Sequence, residues 1–207
     1  MSPGFRAEGA GLKQLTPTPT PAQPRRPYNR IVTNELAVRR ATDADAAALV
    51  ALVNSAYRGE SSKAGWTTEA ELLGGQRIDL EKMREAIAGA DSVVLVHDVE
   101  GEPLGCVLLE RTGDEAYVGM LTVRPTLQGS GLGRRLLGAA ERWARDYWGA
   151  RAIHGTVIAQ RPELIAFYER YGFRRTGERK PFPYGDERFG LPKRDDLEFE
   201  VLRKELG

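Results

Sequence analysis

A chain of 207 residues is long enough for one domain of ordinary size with a tail and too short for two full catalytic domains. Lys and Arg number 30 against 29 Asp and Glu, a formal net charge of +1, so the global basic excess of a dedicated nucleic-acid binder is absent. With 41% hydrophobic residues and 23 glycines the composition excludes a collagen, a coiled coil and a wholly disordered chain, and the single cysteine, Cys106, excludes an internal disulfide framework or a multi-cysteine metal site.

Residues 1–34 differ in kind from the rest. Thr and Pro alternate from Thr16 to Pro21, Pro24 and Pro27 follow, and no apolar periodicity runs through them. Such a stretch favours extended polyproline II conformations and cannot bury a core, so it reads as a disordered basic tail ahead of a domain spanning 35–207. The tail carries five cations against Glu8, a balance of +4, which leaves −3 on the domain. A protein-interaction arm is the alternative for this segment. Met1 to Ala10 lacks a charged start followed by an apolar stretch, and the longest apolar run, Ala46 to Val53, is far below the roughly 18 residues that span a bilayer. The expectation is a soluble cytoplasmic protein without membrane or nucleic-acid partners.

A short strand at Leu36 to Arg39 opens the domain. Thr42 and Asp45 have the spacing of a capping box with Asp in place of Glu, and Ala46, Leu49, Val50, Val53 and Tyr57 then recur at helical spacing. Residues 58–77, punctuated by Gly59, Gly65, Trp66, Gly74 and Gly75, are too irregular for one element and read as a covering segment. A helix at Leu80 to Ala88 precedes three strands, Ser92 to His97, Leu104 to Arg111 and Ala116 to Val123, joined by tight turns as an antiparallel meander. Leu132, Leu136, Ala140, Trp143 and Tyr147 mark a helix that Gly149 ends. A strand at Ala152 to Ile158, a helix at Glu163 to Arg170 led by Pro162, a strand from Phe173 and a last strand alternating at Leu197, Phe199 and Val201 complete the order. The class is α/β (α+β), a mixed sheet flanked by helices.

The most informative segment runs from Val123 through Gln128, Gly129, Ser130, Gly131 and Gly133 to Arg134 and Arg135, a strand passing through a glycine turn into a helix. Glycines free the backbone for positive φ, and a helix N-terminus presents N–H groups and partial positive charge, which together suit an anion; a tight structural turn with its arginines in water is the alternative. Two arginines in a first helical turn oppose the macrodipole by about 0.3–1 kcal/mol when exposed, a cost that a bound polyphosphate offsets. The third glycine of a dinucleotide-binding G-x-G-x-x-G falls on Arg134, and the Lys and Ser/Thr of a P-loop are missing, so neither of those nucleotide motifs is present.

Gln128, Gly131 and Gly133, following Val123-Arg124-Pro125, resemble the acyl-CoA motif of the GNAT N-acetyltransferase superfamily, and Phe167-Tyr168 through Gly172-Phe173 is similar to that family's second signature. The resemblance implies a mostly antiparallel central sheet of about seven strands with about four helices, and direct transfer of an acetyl group from acetyl-CoA to a primary amine. It further implies that the backbone of Leu121, Thr122 and Val123 pairs with the pantetheine arm. Gln128, Gly129, Ser130, Gly131, Leu132, Gly133 and Arg134 would then cradle the pyrophosphate, with Tyr168 as the acid that protonates the departing thiolate. Where the family often carries a carboxylate base this chain has Thr156; Glu110, Glu115, a loop residue or a water chain are the substitutes. The place seven residues before Tyr168, often Asn in the family, is Arg161, which suits a phosphate or a substrate carboxylate.

Cys106 lies in an apolar strand and reads as core, and His97 and His154 have no companion at metal spacing, so no metal is expected. Tyr171 reads as a packing residue. Gly65 to Glu69 and Pro181 to Phe189 supply aromatic and charged groups from two directions, able to enclose a small amine or simply to pack as lids. A small-molecule amine or amino-acid derivative is the first expectation for the acceptor and a protein amine the second. A non-catalytic acyl-CoA sensor is the rival class, and a homodimer is compatible with all of these.

Overall fold

The computed structural model describes residues 31–33 and 36–207. The elements in chain order are β1 (Ile31–Thr33), β2 (Leu36–Arg40), α1 (Ala46–Tyr57), α2 (Gly59–Ser62), β3 (Leu73–Gly74), α3 (Leu80–Ala88), β4 (Ser92–Val99), β5 (Glu102–Thr112) and β6 (Glu115–Val123), then α4 (Leu132–Trp148), β7 (Ala152–Ile158), α5 (Pro162–Arg170), β8 (Arg174–Pro181), β9 (Leu191–Pro192) and β10 (Glu198–Glu205). An eight-stranded sheet has the order β1-β2-β4-β5-β6-β7-β10-β8, and β3 pairs with β9 in a separate two-stranded ladder. Every neighbouring pair in the large sheet is antiparallel except β6 and β7, which run parallel. The mixed, mostly antiparallel class read from the sequence is the one observed, with β1 as an additional edge strand and the one-turn α2 as an additional helix.

β1 corrects one boundary: Ile31 to Thr33, expected in the tail, pair with Leu36 to Val38. The rest of the expected tail, and with it the Thr/Pro repeat, lies outside the described residues.

Strand alternation divides the core. Val93, Leu95, Val107 and Leu109 point to the face covered by α4 and α5, whereas Val94, Val96 and Cys106 point to the face covered by α1 and α3. On α4 the stripe Leu132, Leu136, Ala140 and Trp143 is buried as its spacing requires. On the other face α1 buries Leu49 and Val53, and α3 buries Met83. α3 starts where Asp79 Oδ1 accepts from the Lys82 backbone N–H at 2.8 Å, the usual N-cap bond. The Thr42–Asp45 capping box is present, with the Thr42 N–H donating to Asp45 Oδ2 at 2.7 Å, and it opens a 3-10 turn that leads into α1. Arg39 binds the same carboxylate and holds the Asp45 pKa down at about 2.

Two irregularities create the site. β6 and β7 pair only from Glu115 to Tyr117 and from Ala152 to His154, so beyond these residues the central strands part. Opposite, the β5–β6 register shifts between Cys106 and Leu108, and Met120 takes φ 51°. A non-glycine residue in this region is a bulge held at a conformational cost of about 1–2 kcal/mol, and such strain gathers where backbone is being aimed. A wedge therefore opens in mid-sheet at Gly119 to Val123.

Candidate active site

The wedge is divided into an outer groove and an inner cleft. The outer groove, about 310 Å³, is built around the turn before α4. Gly129 and Gly131 have φ 82° and 84°, the left-handed region that favours glycine, and Gly131 is the N-cap of α4. The first intrahelical bond is donated by the Arg135 N–H to Gly131 O at 3.2 Å, so the N–H groups of Leu132, Gly133 and Arg134 precede the ladder, and no side chain caps this end among the described residues. An open helix start with its dipole toward the groove suits a pyrophosphate.

Of the ten residues expected to bind the cofactor, seven line this groove: Leu121, Val123, Gln128, Gly129, Gly131, Gly133 and Arg134. Thr122 turns the other way, buried, with its hydroxyl donating to Met120 O at 3.0 Å across the bulge. Ser130 does not line the groove, and the Leu132 side chain is in the core, which leaves it only a backbone N–H to offer. Gln128 holds the cradle together: its Oε1 accepts from the Trp66 N–H at 3.0 Å and its Nε2 donates to Val123 O at 3.3 Å. Gly65 is what lets that amide in, since a Cβ there would collide with it.

Arg134 lies over the Tyr171 ring at 5.7 Å, and Arg170 is the groove's second cation. Arg135, its partner in the sequence argument, is exposed and does not line the groove. Successive helical residues point about 100° apart, so only one of an Arg-Arg pair can face a groove, whereas Arg170 arrives from α5. Trp66 and Thr67 line the outer groove as well, the Trp66 ring 5.9 Å from Phe167.

The inner cleft, about 150 Å³, lies between the parted strands, with Tyr117 to Leu121 on one side and Thr156 to Ile158 on the other. A narrow passage lined by Tyr57, Gln128, Arg161 and Tyr168 lies between it and the outer groove, and Leu121 and Leu164 border all three spaces. Tyr168 is 9% exposed, its ring packed edge-on against Phe167 and Phe173. Burial pushes its phenol well above the ordinary value, so it remains protonated. Tyr57 donates its hydroxyl to Leu121 O at 3.0 Å, on the strand edge expected to meet pantetheine. As the last residue of an apolar helical stripe it gave no sign of this position.

The two covering segments meet over the cleft. β3 pairs Leu73 and Gly74 with Pro192 and Leu191, and Arg58 donates to Phe189 O at 3.3 Å. Beneath them lies a buried charge cluster. Glu69 Oε1 accepts from Arg161 Nη1 at 2.7 Å and Glu69 Oε2 from Arg58 Nη1, with exposures of 6%, 5% and 5% for Glu69, Arg58 and Arg161. Arg161 Nη2 also donates to Thr67 Oγ1 at 2.6 Å. Burial alone would raise the Glu69 carboxyl, but the field of Arg161, Arg58 and Arg77 outweighs it and holds the group below the ordinary range. We expect Glu69→Gln to cost about 3 kcal/mol in urea denaturation, because two buried guanidiniums lose their common counter-charge.

Two of the base candidates from the sequence, Glu110 and Glu115, lie outside the cleft. Glu115 sits at the closed end of the wedge, bound by Arg203 at 2.9 Å, and neither it nor Glu110 lines the cleft. Thr156 Oγ1 is 3.3 Å from the Tyr117 hydroxyl. Glu69 is the acidic residue that does line the cleft, and clamped between two arginines it is a poor proton acceptor. Cys106 is fully buried with its thiol pushed up to about 12, as a core residue should be. His97 Nδ1 is 2.9 Å from Ala37 O, and His154 packs on Tyr117. No cluster of metal-ligating residues occurs among the described residues, and no described helix is long and apolar enough to cross a membrane.

Comparison with known proteins bears on this geometry. The model of the acetyltransferase (GNAT) family matches residues 52–173, more than half of the chain. Among solved structures, the ribosomal-protein-alanine N-acetyltransferase from Brucella melitensis is 22% identical with a TM-score of 0.61, over 81% of this chain and 98% of that one. The ribosomal-protein-S18-alanine N-acetyltransferase from Escherichia coli is 16% identical with a TM-score of 0.60, over 82% and 93%. A nourseothricin acetyltransferase matches at 25% identity with a TM-score of 0.49, over 57% of this chain and 67% of that one.

Proposed function

The chain belongs to the GNAT acetyltransferase family and is an acetyl-CoA-dependent N-acetyltransferase, and from that premise we propose that its acceptor is the primary amine of a small molecule or amino-acid derivative. The observation that carries this reading is the size and closure of the inner cleft. About 150 Å³, walled by the parted strands and roofed by two segments tied through β3 and β9, accommodates a few heavy atoms around an amine.

In this reading acetyl-CoA lies along the outer groove as co-substrate. Its pyrophosphate meets the open start of α4 with Arg134 and Arg170, and its thioester reaches the passage between the two spaces. The acceptor nitrogen attacks the thioester carbonyl carbon; a C–N bond forms, the C–S bond breaks, and the sulfur leaves as a thiolate. Tyr168, which lines the passage, gives its proton to that sulfur. The proton lost from the amine goes to water and Tyr168 is reprotonated from solvent, since Glu69, the acid lining the cleft, is held by Arg58 and Arg161. Attack requires the neutral amine, and the cations around the cleft lower the pKa of an ammonium held there.

Purified protein mixed with acetyl-CoA and a panel of amines, with free thiol as readout, tests this. Release is expected with small amines and not with peptide amines alone. Turnover confined to a peptide or protein N-terminus would transfer the acceptor to the second class.

A further inference from the structure

Resting on the reading of the inner cleft as the acceptor site, we propose that the acceptor bears a carboxylate beside its amine, received by Arg77 together with Arg58 and Arg161. Three guanidiniums line this cleft against the single carboxylate of Glu69. Both Glu69 oxygens are already bound, one by each of Arg58 and Arg161. The Arg77 guanidinium lies over the Tyr57 ring at 5.5 Å, with neither a hydrogen bond nor an ion pair to an acid among the described residues. Arg58 Nε is buried without a hydrogen-bond partner, and Arg161 Nε, likewise without one, lies 3.6 Å from Glu163 Oε1, an acid that does not line the cleft.

Polar groups left unsatisfied away from water are costly, and uncompensated buried charge more so. A protein that keeps an excess of cations in a closed cleft gains most from an anion entering it. A planar carboxylate matches the guanidinium fork, and Glu69 already shows the geometry in which two of these arginines receive one. The cleft volume limits the occupant to a small amino acid. In the sequence only Arg161 points to a carboxylate, since Arg58 and Arg77 flank the irregular covering segment and Arg161 lies 92 residues beyond Glu69.

The test compares small α- and β-amino acids with their carboxamides, which keep the amine and lose the charge. Two readouts are taken on the wild type and on Arg77→Gln: thiol release with acetyl-CoA, and calorimetric binding of each amine without acetyl-CoA. Arg77 is half-buried and bonded to the fold through its backbone, so the variant should fold, as its melting temperature will show. We expect kcat/KM and affinity to favour the acid over the amide by at least about tenfold, a preference that falls about tenfold in Arg77→Gln. An acid-to-amide ratio near one, or a ratio unmoved by the substitution, overturns the carboxylate site while thiol release leaves the small-amine reading standing. Carboxylate-selective binding that depends on Arg77 without thiol release supports the anion site and overturns the reading of this cleft as the place of transfer.

Discussion

Gly131→Asp should abolish acetyl-CoA binding, raising the dissociation constant at least about a hundredfold in calorimetry, while Gly131→Asn should retain most of it. The position separates charge from shape. Gly131 has φ 84°, and a Cβ built on it meets nothing within 4 Å, so a side chain fits in space and costs only the left-handed backbone. Asp and Asn are the non-glycine residues that bear that conformation best, and they are nearly the same size. Asp as the N-cap of α4 would even favour the helix by accepting from its open N–H groups. It therefore fills with its own carboxylate the place proposed for the pyrophosphate and repels the remaining charge. A variant that melts like the wild type and no longer binds acetyl-CoA locates the loss in the cradle. Equal weakening by Asn and Asp would assign it to backbone strain, and normal binding by Asp would remove the α4 terminus from the coenzyme site.

How much of this could be read from the chain follows from the range of the interactions. The strands of the meander and the α4 stripe are specified by neighbours two to four residues apart, so their periodicity sufficed, and β7 and α3 end where the sequence reading put them. The glycine turn was legible for the same reason. Residues 58–77 were not, because α2 and β3 are too short to carry a period and the segment is tied to distant partners, β9 at Leu73 and Gly74 and Arg161 at Glu69. The bulge at Met120 was silent as well: Tyr-Val-Gly-Met-Leu alternates like any strand, and the positive φ falls on the residue after the glycine. The outer groove, anchored by a local motif, was thus largely foreseen, whereas the inner cleft assembles side chains from stretches as far apart as Tyr57 and Phe199. Arg161 was singled out only because the family pattern left it conspicuous.

Tyr168→Phe should lower kcat by about 10²- to 10⁴-fold and change the KM for acetyl-CoA by no more than about threefold, in steady-state assays of thiol release. The ring is held edge-on by Phe167 and Phe173, so deleting the hydroxyl leaves its packing intact and stability should move little. What is lost, in the proposed mechanism, is the proton donor to the departing thiolate. Because burial raises this phenol above the usual value near 10, its protonated form persists as pH rises, so the alkaline limb of kcat below about pH 10 should not reflect its ionisation. Tyr57→Phe is the matched comparison. That phenol, pushed up to about 12 by burial against the pull of Arg77, is bound to Leu121 O and positions the strand edge, so its removal should act mainly on the KM for acetyl-CoA. If Tyr168→Phe turns over normally and Tyr57→Phe does not, the acid is Tyr57, and proton delivery comes from the α1 side of the wedge.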